Sequence, residues 1–508
     1  MPKTPTRTPP RKAGSAPRAT PGNPSRNSAP TRTPAESRPQ SPFRQQKSTA
    51  TVQRQSATKA KPAFQPPPQT KPAKSAQTRP THANAAPLLA IPHAVVSRRA
   101  ADRLRTGHLW VYATEIEHLD AARETSPDPT SPLLPVIDSR GILLGTALYS
   151  PASQIPLRII SREHIDHAAW LALLSERLEA AINLRKPMLD EHSNACRLVF
   201  SEADQLPGII VDKYSNLVVV QLLASGLDSA PVRAAIVAAV RAHFDSSTLT
   251  IWERPDPRIR ALEAMPPPPT APLYAAQPAA PAAETTFQLN GLRFHFDVAS
   301  GQKTGAFLDQ RENYAAVAHW AKRKGATANV LDVCTYQGGF ALHLAQVAQR
   351  VTGIDASRAS LEVAEKNLAA NRAQLLAEVD WIEADAFALL REMSEPKHGS
   401  AASRDWDLIV LDPPAFAKSR HAVEGALRGY KELNLRALRM LRSGGLLVTC
   451  SCSHHVHWTD LETAVAEAAI DAHRSVRILE RRGAAIDHPV LLNLPETEYL
   501  KCLICEVV

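Results

Sequence analysis

The sequence predicts an α/β protein. A doubly wound, mostly parallel sheet forms its C-terminal part, preceded by a small β-barrel and a small central α/β unit, behind a disordered N-terminal tail. Three observations predict this. From Asn329 onward, short apolar runs alternate with amphipathic stretches at helical spacing, the pattern of strand–helix–strand crossovers. From Ala94 to Ile160, short apolar runs are cut by turn residues. The first ninety residues carry 18 of the 42 prolines and almost no large apolar side chains.

Such a tail cannot bury enough surface to offset its ordering entropy, so residues 1–90 are expected to be disordered. They hold 16 Lys and Arg against a single acid, Glu36, whereas the rest of the chain holds 43 against 49. The formal charge of +9 therefore belongs to the tail, and the body is mildly acidic. A polycation of this kind lingers on phosphate backbones. A transit peptide shares the Arg- and Ser-rich bias, but proline every few residues opposes its amphipathic helix. No apolar stretch is long enough to span a membrane. Six scattered cysteines suggest neither a disulfide framework nor a metal site, and a reducing cytoplasm fits them.

The expected boundaries are 1–90 for the tail, 91–163 for the barrel, 164–283 for the central unit and 284–508 for the parallel-sheet domain. In the barrel, Leu134 to Ile137, the turn Asp138 to Gly141, and Ile142 to Tyr149 read as a hairpin, and Leu157 to Ile160 as a further strand. Its first residues are basic, with Arg98, Arg99, Arg103 and Arg105 as candidates for RNA contact. In the central unit, Leu171, Leu174, Leu178 and Ile182 share a helix face that stops at Pro187. Arg197 to Phe200, Gly208 to Asp212 and Leu217 to Leu223 read as strands, and Ala230 to Phe244 as a helix. Residues 265–283, with Pro266 to Pro269, read as a linker or loop. A hairpin is expected around Asn290-Gly291. The parallel strands are Asn329 to Val333, Val351 to Ile354, Val379 to Ile382, Leu408 to Leu411 and Leu446 to Cys450.

Ligands on such sheets sit at the carboxyl ends of the strands, and the chemistry-bearing residues fall there. The first strand runs through Asp332 into Tyr336-Gln337-Gly338-Gly339 and then a helix. Its two glycines let backbone and helix N-terminus approach a ligand. Asp355 with Ala356 ends the second strand, where ribose hydroxyls would lie. Asp385 with Ala386 ends the third, where a carboxylate can accept from an adenine amino group. The turn has neither dinucleotide Gly-x-Gly-x-x-Gly spacing nor the Gly-Lys-Ser/Thr of a triphosphate site, which leaves S-adenosylmethionine as the expected cofactor.

The fourth strand ends in Asp412-Pro413-Pro414-Ala415-Phe416, which offers a carboxylate and rigid carbonyls to a flat heterocycle. Pro414 and Phe416 are the base-facing candidates. The fifth ends in Ser451-Cys452-Ser453. Alternation puts Cys450 and Cys452 on one face, with Cys452 nearer the rim and the candidate nucleophile. Cys334, Cys450, Cys502 and Cys505 read as packing residues. A pyrimidine carbon becomes nucleophilic only after a thiolate adds to its neighbour, whereas an amine needs no thiolate. The expectation is that Cys452 adds to C6 of a cytosine while Asp412 bonds to N3. The base must leave its helix or lie in a loop.

With these residues in view, the chain resembles the bacterial 23S ribosomal RNA 5-methylcytosine methyltransferases that carry an N-terminal PUA domain. The resemblance runs from about residue 92 to the C-terminus. It rests on Tyr149 to Ile155, Ser201 to Gly208, Lys303-Thr304-Gly305, Leu308-Asp309-Gln310-Arg311, Asp412-Pro413-Pro414, Arg428 to Lys431, Ser451-Cys452-Ser453 and Asp487-His488-Pro489. It implies a PUA barrel, a Rossmann-like class I methyltransferase domain, Gln310 beside the cofactor, Cys452 as nucleophile and large-subunit rRNA as substrate. The family usually has lysine after Pro-Pro, where this chain has Ala415, and an aromatic residue at the position of Cys450. Two other readings stay open on sequence alone. One is an exocyclic-amine RNA or DNA methyltransferase, the other a non-catalytic rRNA-binding assembly factor. Whether the chain works alone or as a homodimer is also open.

Deleting residues 1–88 is expected to lower affinity for rRNA and flatten its salt dependence, with turnover at saturation little changed. Binding isotherms at low and high salt check this, and superimposable curves for the two chains would count against tethering.

Overall fold

A computed structural model describes residues 91–120, 132–299, 304–395, 405–417 and 419–508. The basic tail, read as disordered, lies outside the described residues. The described residues belong to one compact unit, Thr78–Val508.

The first part is a six-stranded sheet of His93–Val96, Trp110–Val111, Ile116–Asp120, Leu133–Asp138, Leu143–Tyr149 and Leu157–Ser161. Trp110–Val111 and Ile116–Asp120 are its edges. Ser97 caps the helix Arg98–Arg105, which buries Ala100, Ala101 and Leu104 in the core of this sheet. Leu494, from far along the chain, packs into the same core.

The central unit is a five-stranded sheet. Its order is Tyr274–Ala275, Thr250–Glu253, Leu217–Leu222, Ile209–Tyr214 and Ala195–Phe200. Helices His167–Arg185 and Ala230–Phe244 share a core with it. The buried stripe of the first helix is Trp170, Leu174, Leu178, Ala181 and Ile182, while Leu171 is half-buried. The sequence reading placed Leu171 on that face, but the i, i+4 series starts one residue earlier, at Trp170. Residues 265–283 are not a loose linker. Leu273 and Ala276 donate to Ile251 and Leu249 (2.8 and 2.9 Å), adding an edge strand, and Trp252 Nε1 donates to the Ala282 carbonyl (2.8 Å). Backbone pairing overrides the low-complexity composition there.

The hairpin Glu284–Leu289 with Leu292–Asp297 turns at Asn290 and Gly291, both at positive φ (52° and 84°), as a two-residue hairpin turn requires. The C-terminal sheet has seven strands: β1 Asn329–Val333, β2 Arg350–Asp355, β3 Glu378–Glu383, β4 Trp406–Leu411, β5 Leu441–Ser451, β6 Val476–Arg482 and β7 Lys501–Val507. Their order is β3-β2-β1-β4-β5-β7-β6, with β7 antiparallel to both neighbours. Strands β1 to β5 match the sequence reading closely. The last two were not foreseen. On β7, Cys502 and Cys505 stand in a Cys-x-x-Cys spacing, but the odd offset on an extended strand sends them into opposite cores, so they are no chelating pair.

The central unit and the parallel-sheet domain are joined through Asp487, which is fully buried. Its Oδ2 accepts from the Arg197 backbone N–H (2.9 Å), and its Oδ1 faces His488 Nδ1 (3.0 Å) and the Arg311 guanidinium (3.7 Å). Its carbonyl accepts from Arg185 Nε (3.0 Å). Removing one partner of a buried ionic cluster leaves the others uncompensated. Asp487→Ala is therefore expected to cost roughly 3–5 kcal/mol, read from the urea unfolding midpoint. A loss within about 0.5 kcal/mol would show that the cluster is not what joins the two units.

Candidate active site

Strands β4 and β5 are neighbours in parallel register, Leu411 opposite Thr449, so the loops leaving their carboxyl ends meet. Cys452 follows β5 directly. It is half-buried, and its Sγ lies 3.9 Å from the Pro413 carbonyl oxygen. Three hydroxyls pin this turn. Tyr430, on the helix Val423–Met440, shares hydrogen bonds with Ser451 (2.9 Å) and Ser453 (3.0 Å), and the Ala417 N–H donates to Ser453 Oγ (3.2 Å). Cys450, one pleat deeper, is fully buried and pairs across the ladder with Cys502. Burial pushes its thiol well up, as befits a packing residue.

Asp412 is held by a chain of side-chain amides. Gln310 Nε2 donates to its Oδ2 (3.0 Å), and Asn313 Nδ2 donates to Gln310 Oε1 (2.6 Å). Arg482 Nε in turn donates to Asn313 Oδ1 (2.8 Å). Since Asn313 occupies the amide oxygen, the amide nitrogen of Gln310 must face the carboxylate. Phe416 packs against Tyr430 (4.9 Å between ring centres) and Phe387 (5.8 Å), and Pro414 is exposed.

A cavity of about 680 Å³ runs from this corner along the ends of β1, β2 and β3. Cys452, Asp412, Pro414 and Phe416 line one end of it, and Tyr336, Gly339, Asp355, Ala356, Asp385 and Ala386 the other, with Gln310 between them. The volume suits a nucleoside-sized ligand. The loop after β1 is wound tightly: Cys334, Tyr336 and Gly338 take positive φ (64°, 53° and 85°). A Cβ on Gly339 would lie 2.5 Å from the Tyr314 ring, so only glycine lets the backbone form this wall. Asp355 accepts from the backbone N–H groups of Tyr336 (2.9 Å) and Ser357 (2.8 Å), while Ser357 itself caps the following helix. Asp385 does cap its helix, accepting from Ala388 (2.9 Å), and still faces the cavity. Cys334 packs against the core, as expected, and also lines the cavity.

Two cofactor assignments change. Asp332 is fully buried beneath the loop and does not line the cavity. Its Oδ2 accepts from Thr335 Oγ1 (2.6 Å) and the Ala341 N–H (2.9 Å), so it holds the loop to the helix. Burial pushes its carboxyl up to about 7, against the pull of those two donors. Gly338 is buried as the left-handed residue that starts the helix, packed on Trp381, with Gly339 forming the wall. The basic residues change too. Arg103 forks onto both oxygens of Glu115 (2.6 Å each) and donates to the Trp110 carbonyl, so its charge is paired, although it is half-buried and lines a second concavity. Arg260 is buried among Glu253 and Asp228, while Arg258 lies at the mouth of the cofactor cavity. Arg98 is exposed on the helix surface, 3.8 Å from Asp102. Arg99 lines that second concavity, of about 990 Å³, between barrel, central unit and the two catalytic-end loops. Trp110, Tyr112, Arg420, His454 and His455 also line it. Arg99 and Arg103 of this second concavity were candidates from the sequence; Tyr430, Asn313, Arg420, His454 and His455 escaped sequence reasoning. Only the string Arg428 to Lys431 hinted at Tyr430.

Sheet order, wound loop and cavity together define a class: the chain is an S-adenosylmethionine-dependent methyltransferase carrying a PUA-like domain. Residues 247–491 match the S-adenosylmethionine-dependent methyltransferase family and residues 95–162 the PUA-like domain. The chain belongs to the ribosomal RNA large subunit methyltransferase I family. It is 35% identical over 414 residues to the protein of that name from Alteromonas mediterranea, covering 80% of this chain and 96% of the relative. The Pseudoalteromonas translucida relative is 35% identical over 409 residues, covering 80% and 96%. Among solved structures, a Streptococcus mutans protein described as a SAM-dependent methyltransferase shares the fold. Its TM-score is 0.63 at 20% identity, over 81% of this chain and 99% of that one. A methyltransferase solved in complex with SAH, 19% identical, has the same TM-score and coverage.

A carboxyl raised by burial stabilises the fold while it is neutral, so its contribution is full below the ordinary carboxylate range and fades as pH rises through about 7. Asp332→Asn, isosteric with the neutral acid, is expected to flatten the fall in stability between pH 4 and pH 8 by up to about 4 kcal/mol. Unfolding free energies across that range check it, and parallel curves would refute the assignment.

Proposed function

We propose that the chain methylates carbon 5 of a cytosine in large-subunit ribosomal RNA through a covalent Cys452–C6 adduct. The observation that carries this reading is that Cys452 and Asp412 line one end of the same cavity whose other end suits the cofactor. A thiol in that position has no use in amine methylation.

In this reading Asp355 and Ala356 face the ribose of S-adenosylmethionine, Asp385 and Ala386 its adenine, and the Tyr336–Gly339 backbone its amino-acid arm. The bound cofactor supplies an electrophilic methyl group on sulfonium. The thiolate of Cys452 adds to C6 of the pyrimidine, and the electron pair displaced from the 5,6 double bond moves toward N3 and O2. Asp412, oriented by Gln310 and sharing a proton with N3 once the base is bound, hydrogen-bonds there and neutralises the charge that develops. C5, now enamine-like, takes the methyl, whose bond to the sulfonium breaks and leaves a neutral thioether. Transfer of the C5 proton to solvent then returns electrons to the ring and expels the thiolate from C6. Pro413 and Pro414 fix the carbonyls beside the ring, and Phe416 stands at its rim.

The RNA partner is supported by the names of the relatives and by the second concavity, which adjoins the loops holding Cys452 and Asp412. Two of its acids are engaged, Glu115 by Arg103 and Glu202 by Trp110 Nε1 (3.0 Å), while Glu496 lies 3.6 Å from His108. Arg99 and Arg420 remain for phosphates, and Trp110 and Tyr112 for a base.

Cys452→Ala is expected to lower methyl transfer to 23S rRNA by at least roughly a thousandfold while leaving cofactor affinity unchanged. Tritiated cofactor and equilibrium dialysis read the two quantities. Unchanged turnover would instead fit an amine acceptor and rule out the carbon mechanism.

A further inference from the structure

Lys501 is buried, with 3% of its surface exposed, at the start of β7 and directly opposite Ser451 in the ladder. Its ammonium donates to the carbonyls of Ser453 and Tyr499 (2.9 Å each). Among the described residues it makes no ion pair; Glu498 and Asp460 act on it only from further away. Burying an ammonium beside neutral carbonyls is costly. The two carbonyls could be satisfied as well by a neutral donor, so the positive charge itself calls for a reason. Ser453 is the residue after the thiol, and the charge of Cys452 is among those that act on Lys501.

We propose that Lys501 is a positioning residue that holds a positive charge against the backbone of the Ser451-Cys452-Ser453 turn, so that the attacking thiolate is available near neutral pH. This rests on the reading that Cys452 is the nucleophile. Among the described residues an acid and two phenols lie near that sulfur, and burial pulls His454, two residues on, below its ordinary range. Asp412, from the loop after β4, carries the opposite influence. Tyr430, on its helix, and Tyr499, in the turn before β7, are phenols that burial pushes up and keeps neutral. Burial also pulls Lys501 below its ordinary range, against the attraction of Glu498 and Cys452, which is the cost of holding a cation there. As the sulfur becomes a thiolate, the ammonium gains the counter-ion that its pocket otherwise lacks.

The test is the pH dependence of Cys452 alkylation in the full chain without RNA. Iodoacetamide is displaced at its iodide by the thiolate, and the modified peptide is quantified by mass spectrometry. The wild-type midpoint is expected below about 8.5, the value of an ordinary thiol. In Lys501→Met the profile moves up by at least one pH unit, and the rate at pH 7 falls roughly tenfold. Lys501→Arg, which keeps the charge, stays within a few-fold of wild type. Superimposable wild-type and Lys501→Met profiles overturn the proposal, since a merely structural lysine changes stability but not the midpoint. If Lys501→Met does not fold, Lys501→Gln takes its place. A wild-type midpoint at or above about 8.5 overturns the proposal with no variant at all. Because no RNA enters, failure here is separate from failure of the cytosine reading, which the Cys452→Ala assay decides.

Discussion

The site depends on one pairing, that of β4 with β5. These strands run parallel at the centre of the sheet, with Val410 against Val448 and Leu411 against Thr449. That register brings the Asp-Pro-Pro loop and the Ser-Cys-Ser turn out side by side. Everything else at the chemical end refines their approach. Tyr430 fixes the turn through Ser451 and Ser453, Gln310 fixes the carboxylate, and β7 closes the far side with Lys501. A slip of one residue between β4 and β5 would turn Cys452 to the other face of the sheet. The thiol would then leave the cofactor cavity.

The same logic explains the cofactor end. Strands β1, β2 and β3 deliver one loop each to a common rim, and the glycine wall lets a ligand lie against backbone. Asp332, the first of the three strand-end acids read as cofactor contacts, does a different job. It is spent on two internal hydrogen bonds that hold the loop to its helix, while Asp355 and Asp385 face the cavity. An acid at a strand end is a weak signal, because the pleat decides whether it points outward or inward, and a one-residue difference reverses the answer.

The five parallel strands, the hairpin at Asn290 and both central helices were legible in the sequence because their apolar periods are long and their turns distinctive. β6 and β7 were not. The charged β6 reads as surface and β7 as a short cysteine-bearing run, and only the antiparallel ladder puts Lys501 opposite Ser451. Arginines were also misleading in sequence. Arg103 looks like an unpaired RNA ligand until its carboxylate partner, Glu115 twelve residues on, is in place. A guanidinium is as often a structural fork as a phosphate contact. The residues left for RNA come from three separate parts of the chain, Arg99, Arg420 and the pair Trp110 and Tyr112, and no local pattern joins them.

The account stands on sulfur attack at a pyrimidine carbon. The most direct measurement is incubation with rRNA fragments carrying 5-fluorocytidine, followed by denaturing electrophoresis and peptide mapping. Fluorine at C5 blocks the final elimination, so a stable cofactor-dependent RNA–protein adduct is expected, attached through Cys452. Methyl transfer without any adduct, or an adduct on another residue, would contradict it.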